Sequence, residues 1–518
     1  YEVEQMKQLS GLDNLFLGLE KPNQYMHVAA LGIYDPSTAP GGQVRFKSIL
    51  DFFTNRLNTF KIFRRRLVEP PFFMDRPYWI DCARIDVEYH VRHIGLPHPG
   101  DWRQLMIQIA RIHSRPLDLT KPLWEAYIIE GLDNIPGVAK GSFALYIKFH
   151  HAAVDGESGV ELLSALHSLE ADFDEAGHKK TETIIADREP NTLELATRAV
   201  GHRASQVIEG SKLALNLGKR ALDLGREYGP TLLEMGEDYI SQLMKRGEHE
   251  HAEGHHKHKG ARFRPHTRFN DKLSPHRVVD GIGFPMDHCK EIRQHVAGTT
   301  VNDIFLTVVG GAMNRYLDAK GELPDASMAA MVPVSTRGGV KGQDAGNQIG
   351  VTIASLKSDV SDPVKRLLAV SKGAKTSKKV NNALGPDTPK QLLNILPGAI
   401  SQRALIYAIS STSNVTVSNV HGPDAPLYFA GAKMQMFMPV SVSFEGSGLN
   451  VTGFSYAGTL WIALTCCRSM MPDPAFFTEC LQLELDALLE GAKKYGKRAA
   501  PRKAVKKSAT KSQAAATS

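Results

Sequence analysis

The apolar run ALYIKF, Ala144 to Phe149, ends in two adjacent histidines, His150 and His151, and Asp155-Gly156 follow three residues later. Imidazole titrates near working pH, with an ordinary pKa of about 6.5, so it can take a proton from a hydroxyl and pass it on. Three readings are open. Both rings could bind one metal ion, but neighbouring strand residues point to opposite faces, unlike histidines spaced i, i+4 on a helix. One ring could be buried and hydrogen-bonded, with the other solvated. Or one ring could act as a general base facing a domain interface while the other supports the strand end. In that case Asp155-Gly156 would shape the turn, since glycine tolerates left-handed backbone. A second polar pair, Asn302-Asp303 in TTVNDIFLTVV, reads either as a helix N-terminal cap or as part of a site. No GxSxG nucleophile elbow occurs; GESGV, from Gly156 to Val160, misses the second spacing.

The elements that must position these residues are legible nearby. PLWEAYIIEGL (Pro122–Leu132) and GSFALYIKFH (Gly141–His150) predict two strands joined by DNIPGVAK. After Gly156, Val160, Leu163 and Leu166 repeat every three residues and predict a helix. SILDFFTNRLNTFKIFRRRLVE also has helical spacing. Strands and helices alternate over 1–180 and again over 266–492, which indicates an α/β protein with two halves. Between them, 181–265 reads as a helical and His-rich connection. Its cluster His249, His251, His255, His256 and His258 lacks flanking elements to fix metal geometry, so a polar linker is expected.

Composition narrows the class. At 518 residues the chain exceeds one ordinary core, and 42% hydrophobic with 23% charged residues is the balance of a soluble globular protein. No apolar stretch of about 18 residues predicts a membrane span, and no basic region followed by an apolar one marks a secretory leader. Five cysteines without a CxxC pair argue against a disulfide framework or zinc site and for a reducing cytosol. The formal net charge of +7 belongs to the end of the chain. Nine basic residues and no acid lie from Lys493 onward, so the rest is slightly negative. With too little apolar content to offset ordering, 493–518 is expected to be disordered. Its charge suits anionic lipid or nonspecific nucleic acid.

HHAAVDG matches the HHxxxDG motif of CoA-dependent acyltransferases. With LSGLDNLFLGLE and YMHV near the start, PLWE, TTVNDIFLTVV, VPVSTR, GNQIGV, VSNVHGP, PLYFAGAKM, MPVSV and LNVTGFSYAG in order, the chain resembles the bacterial wax ester synthase/diacylglycerol acyltransferase family over roughly residues 10–470. The resemblance implies two chloramphenicol-acetyltransferase-like α/β domains with the active site at their interface. It implies His151 as general base, His150 as its support, Asp155 and Gly156 as turn residues, and Asn302 and Asp303 near the site. Trp124 of PLWE is expected in the core, and Ser418 and Asn419 are weighed as oxyanion donors. The implied reaction moves a long-chain acyl group from acyl-CoA to a fatty alcohol or diacylglycerol, with no cofactor and no acyl-enzyme. Alternatives are a condensing enzyme using a carrier-protein thioester, or a lipid-binding protein of the same fold. KGAKTSKKV, Lys372 to Val380, is either a CoA-phosphate contact or a solvated helix face. The expected location is cytoplasmic, peripheral to the inner membrane or lipid inclusions. The tail would touch a membrane or lipid-droplet surface, and no specific nucleic acid is expected. One departure is His421, where relatives read SNVPGP.

Overall fold

The structure, a computed structural model, describes residues 6–57, 60–71, 75–82, 84–154, 156–171, 188–202, 264–335, 349–384 and 411–499. Asp155, the His249–His258 cluster and the tail from residue 500 lie outside the described residues, as does most of the expected helical connection.

The first half contributes β1 (Lys7–Gln8), α1 (Gly11–Leu19), β2 (His27–Asp35), α2 (Phe46–Arg56), β3 (Arg65–Val68) and β4 (Tyr78–Asp81). It continues with α3 (Val87–His90), β5 (Val91–Gly95), α4 (Trp102–His113), β6 (Trp124–Glu130), β7 (Phe143–His150) and α5 (Gly156–Leu166). The second half supplies β8 (Arg277–Pro285), α6 (Met286–His295), α7 (Val301–Asp318), β9 (Ala329–Ser335), β10 (Ile349–Ser355) and α8 (Pro363–Leu384). It ends with β11 (Val415–His421), β12 (Tyr428–Phe429), β13 (Ala432–Val440), β14 (Leu449–Tyr456), β15 (Thr459–Cys467) and α9 (Pro474–Ala499).

Two six-stranded mixed sheets organise these elements. One runs β12-β13-β2-β7-β6-β5, the other β10-β9-β11-β14-β15-β8. β7 sits centrally in the first, antiparallel to both β2 and β6. All eight of its residues are buried, which is why its apolar run tolerates so few polar breaks. The second-half strands β12 and β13 complete the first sheet, with β13 antiparallel to β2. The 266–492 half is therefore not self-contained, and the apolar alternation of AKMQMFMPV gives no sign of which sheet it joins.

α4 seals the junction. Leu105 and Ile109 pack with Tyr146 of β7 and with Val279 of β8, Met438 of β13 and Ala463 of β15. Trp102 Nε1 donates across the junction to Asp280 Oδ1 at 2.8 Å. In the second half α7 is apolar nearly all round, the pattern of a helix buried on every side. α9 runs through the boundary expected at Lys493 and on to Ala499. There Lys493 pairs with Glu291 of α6 at 3.2 Å, so the first basic residues of the expected disordered tail are ordered helix. All five cysteines are free thiols, four of them buried, and Cys466 and Cys467 are core residues.

Candidate active site

The histidines stand at the end of β7, where chain geometry divides their environments. His150 is fully buried. Its N–H donates to Leu123 O of the PLW segment at 3.0 Å, and its Nδ1 accepts the Ala152 N–H at 3.0 Å. A nitrogen that accepts carries no proton, so in neutral His150 the proton sits on Nε2. Nε2 lies 3.3 Å from Glu20 Oε1, off the line of a full hydrogen bond, so this contact acts through charge. His151 begins the turn and is only half-buried. Its N–H donates to Met26 O at 2.6 Å, and its ring stacks on Phe16 of α1 with centroids 4.0 Å apart and planes 6° from parallel.

The apolar cluster around that stack draws on both halves. Leu15, Phe16 and Leu19 of α1, Met26 and Ala152 meet Met331 of β9 and Val442 and Phe444 beyond β13. His151 is thus placed where the two sheets converge, with an imidazole edge beside an apolar lining. Gly156 follows as the first residue of α5.

Behind the pair lies a buried polar network that the sequence reading missed. Glu125 of PLWE lies opposite Lys148 across the β6–β7 ladder. The fully buried Lys148 Nζ sits 3.2 Å from Glu125 Oε2 and donates to Arg115 O at 3.0 Å, just past the C-terminus of α4, where the helix dipole favours a cation. Burial pulls the Lys148 ammonium below its usual range, and Glu125 opposes that shift. His27, paired in register with His150, meets His113 O through Nε2 at 2.6 Å. His113 in turn meets Tyr146 Oη at 2.8 Å. Burial pushes the His27 imidazole well below its ordinary pKa and that of His113 down to about 3, so both stay neutral at working pH. Alternation places Lys148 and Tyr146 on the α4 side, but nothing local to the sequence pairs them with Glu125 or His113.

The remaining expected residues divide. Trp124 is buried, stacked on His90 with centroids 4.4 Å apart, and donates to Phe63 O. Asn302 and Asp303 open α7, but the N-cap is Thr300. Asp303 closes a capping box, its Oδ2 accepting the Thr300 N–H at 2.9 Å while Thr300 Oγ1 accepts the Asp303 N–H at 3.1 Å. Asn302 is half-buried, and neither residue hydrogen-bonds to the histidine pair. Ser418 and Asn419 point to opposite faces of β11. Ser418 lies opposite Thr452, whereas the Asn419 side chain covers Gly453 beside Phe305 of α7. His421 ends β11 opposite Ser455, with Nδ1 2.9 Å from Ser455 Oγ. Lys372 and Lys375 are exposed on α8, and Lys375 donates to Gly298 O. Among the described residues no three His, Cys, Asp or Glu side chains converge in a metal-ligating group.

Comparison with known proteins relates the chain to a family of acyltransferases. Residues 9–305 match the wax ester synthase/diacylglycerol acyltransferase catalytic domain, and 345–489 match the corresponding C-terminal domain. An O-acyltransferase WSD from Acinetobacter baylyi is 30% identical over 479 residues, covering 90% of this chain and 93% of the relative. A putative diacylglycerol O-acyltransferase of Mycobacterium tuberculosis is 30% identical over 477 residues, covering 90% and 87%. A solved wax ester synthase/diacylglycerol acyltransferase from Marinobacter aquaeolei superposes with a TM-score of 0.62 at 26% identity, covering 94% of this chain and all of that one. A condensation domain of the calcium-dependent antibiotic synthetase, 14% identical with a TM-score of 0.56, shares the fold.

Proposed function

This chain belongs to the wax ester synthase/diacylglycerol acyltransferase family, and from that premise we propose that it transfers a long-chain acyl group from acyl-CoA to a fatty alcohol or diacylglycerol, with His151 as general base. The observation that carries the reading is the placement of His151: half-buried, at the meeting of the two sheets, in an apolar cluster drawn from both. An alkyl substrate needs such a lining, and a base needs an accessible ring edge.

In the proposed reaction His151 takes the proton of the acceptor hydroxyl as its oxygen attacks the thioester carbonyl. The new C–O bond forms, the tetrahedral oxyanion collapses, the C–S bond breaks, and the proton passes to the departing CoA sulfur. Ester and free CoA thiol are the products, and no acyl-enzyme forms. Holding both substrates beside the ring supplies the proximity that makes such a transfer fast. Asp155 and Gly156 would hold the turn. Asn302 and Asp303 would contribute through the start of α7 rather than by touching the base.

No described helix is long and apolar enough to cross a membrane. We place the protein in the cytoplasm, meeting a membrane or lipid inclusion peripherally through the basic residues after Ala499.

The test is incubation with labelled palmitoyl-CoA and either hexadecanol or a diacylglycerol, followed by thin-layer chromatography. Labelled wax ester or triacylglycerol is expected. Absence of both products, with intact folded protein, would overturn the reading.

A further inference from the structure

We infer that Glu20 is a positioning residue for the histidine pair, holding ring and backbone at once. This rests on His151 being the general base. Glu20 directly follows α1 as its C-cap, its backbone N–H donating to Leu17 O. Its side chain is only 15% exposed. One oxygen, Oε1, does two things. It accepts the Met26 N–H at 2.8 Å and lies 3.3 Å from His150 Nε2, the nitrogen that carries the proton in the neutral ring. The carbonyl of the same Met26 accepts the His151 N–H. The carboxylate therefore anchors Met26, the residue whose carbonyl anchors the base, and it faces the His150 nitrogen that carries the proton.

The geometry of α1 extends this control to the His151 ring. Phe16 lies one turn before Glu20, and its ring stacks on His151. Residues four apart lie on one helix face, so a single short element presents both contacts. α1 is itself firmly set. Ser10 and Asp13 form a capping box at its start, and Leu15 and Leu19 are buried. A loose Glu20 would release the Met26 peptide, and a misplacement of ~1 Å at a reacting group can cost about 10²-fold in rate.

Glu20→Ala removes the oxygen and the charge, and Glu20→Gln keeps an oxygen for the Met26 N–H. We expect Glu20→Ala to lower kcat about tenfold or more, with KM for palmitoyl-CoA and hexadecanol within about twofold of the parent. Glu20→Gln should recover most of the lost kcat. Loss expressed in KM, or no loss in Glu20→Ala, would overturn the inference, as would failure of Glu20→Gln to recover kcat. As an independent check, amide hydrogen exchange should show the Met26 and His151 N–H groups losing protection in Glu20→Ala and regaining it in Glu20→Gln, and unchanged protection in Glu20→Ala would overturn the inference. Parent protein and His151→Ala are assayed alongside. An inactive parent would sink the catalytic reading itself, whereas an active parent with an unaffected Glu20→Ala sinks only the role of Glu20.

Discussion

His151 and His150 are chemically identical and separated by one peptide bond, yet the fold asks different things of them. His150 is buried with its Nδ1 committed to the Ala152 N–H, which leaves it no lone pair for a substrate proton. His151 is only half-buried and gains a flat support in Phe16; aromatic pairs of this kind contribute about 0.5–1.5 kcal/mol beyond area burial. Replacing His151 by alanine should lower turnover roughly 10²–10⁴-fold, the usual cost of losing a general base, while leaving the melting temperature nearly unchanged. Replacing His150 should instead cost about 2–4 kcal/mol of stability, because a buried ring and a backbone acceptor are lost together. Steady-state assays and thermal denaturation of the two variants separate these outcomes. Near-parental turnover in His151→Ala would refute the division of labour.

The elements carry constraints that no single residue reveals. α7 crosses the second core so closely to α8 and α9 that Gly311 lies against the buried ion pair of Arg366 and Glu484, whose charged atoms are 2.6 Å apart. A Cβ at position 311 would meet both partners. Alanine in a helix interior ordinarily gains about 1 kcal/mol over glycine. Here overpacking costs about 1–3 kcal/mol and disturbing a buried pair about 3–5, so the steric effect should win. Gly311→Ala is expected to destabilise the protein by about 3 kcal/mol in urea denaturation. A stabilised variant would mean that the ion pair yields without cost.

The whole molecule is poised against acid. His27, His113 and His167 are buried in the first half, and burial lowers all three, His113 to about 3 and His167 to about 4. A histidine depressed in the folded state contributes stability above its unfolded pKa of about 6.5, and that stability is lost as pH falls toward the folded value. Each loses about 1.4 kcal/mol per pH unit in that window, so His113 and His167 alone remove on the order of 4 kcal/mol by pH 5. Urea midpoints should therefore fall steeply between pH 7 and pH 5, and a flat profile would contradict the assignment of neutral buried rings. At the other end of the chain, Arg502, Lys503, Lys506, Lys507 and Lys511 follow the end of α9. Each basic residue near an anionic surface contributes about 1 kcal/mol, screened by salt. Truncation after Ala499 should weaken sedimentation with phosphatidylserine vesicles at low salt and leave turnover on dispersed substrate intact. Equal sedimentation with and without the tail would refute a lipid role for it.

Local pattern determined much of this protein. The two strands before the histidines, the helix opening at Gly156 and the buried Trp124 follow from alternation and helical spacing, which act over a few residues, whereas the cap of α7 falls on Thr300 rather than on Asn302 and Asp303. The motif order likewise carried the family and its two-domain α/β fold. Distant contacts were decided only in three dimensions. Phe16 and Glu20 reach the histidine pair from more than a hundred residues away. The alternation of AKMQMFMPV marks a strand but names no partner, and β13 joined the first sheet because its apolar residues find their complement beside β2. The same holds at Lys493, whose composition suggests a solvated tail. It lies in α9, paired with Glu291 on a helix far back in the chain. Sequence separation hides such pairings because the free energy that selects them exists only once both surfaces are formed and brought together.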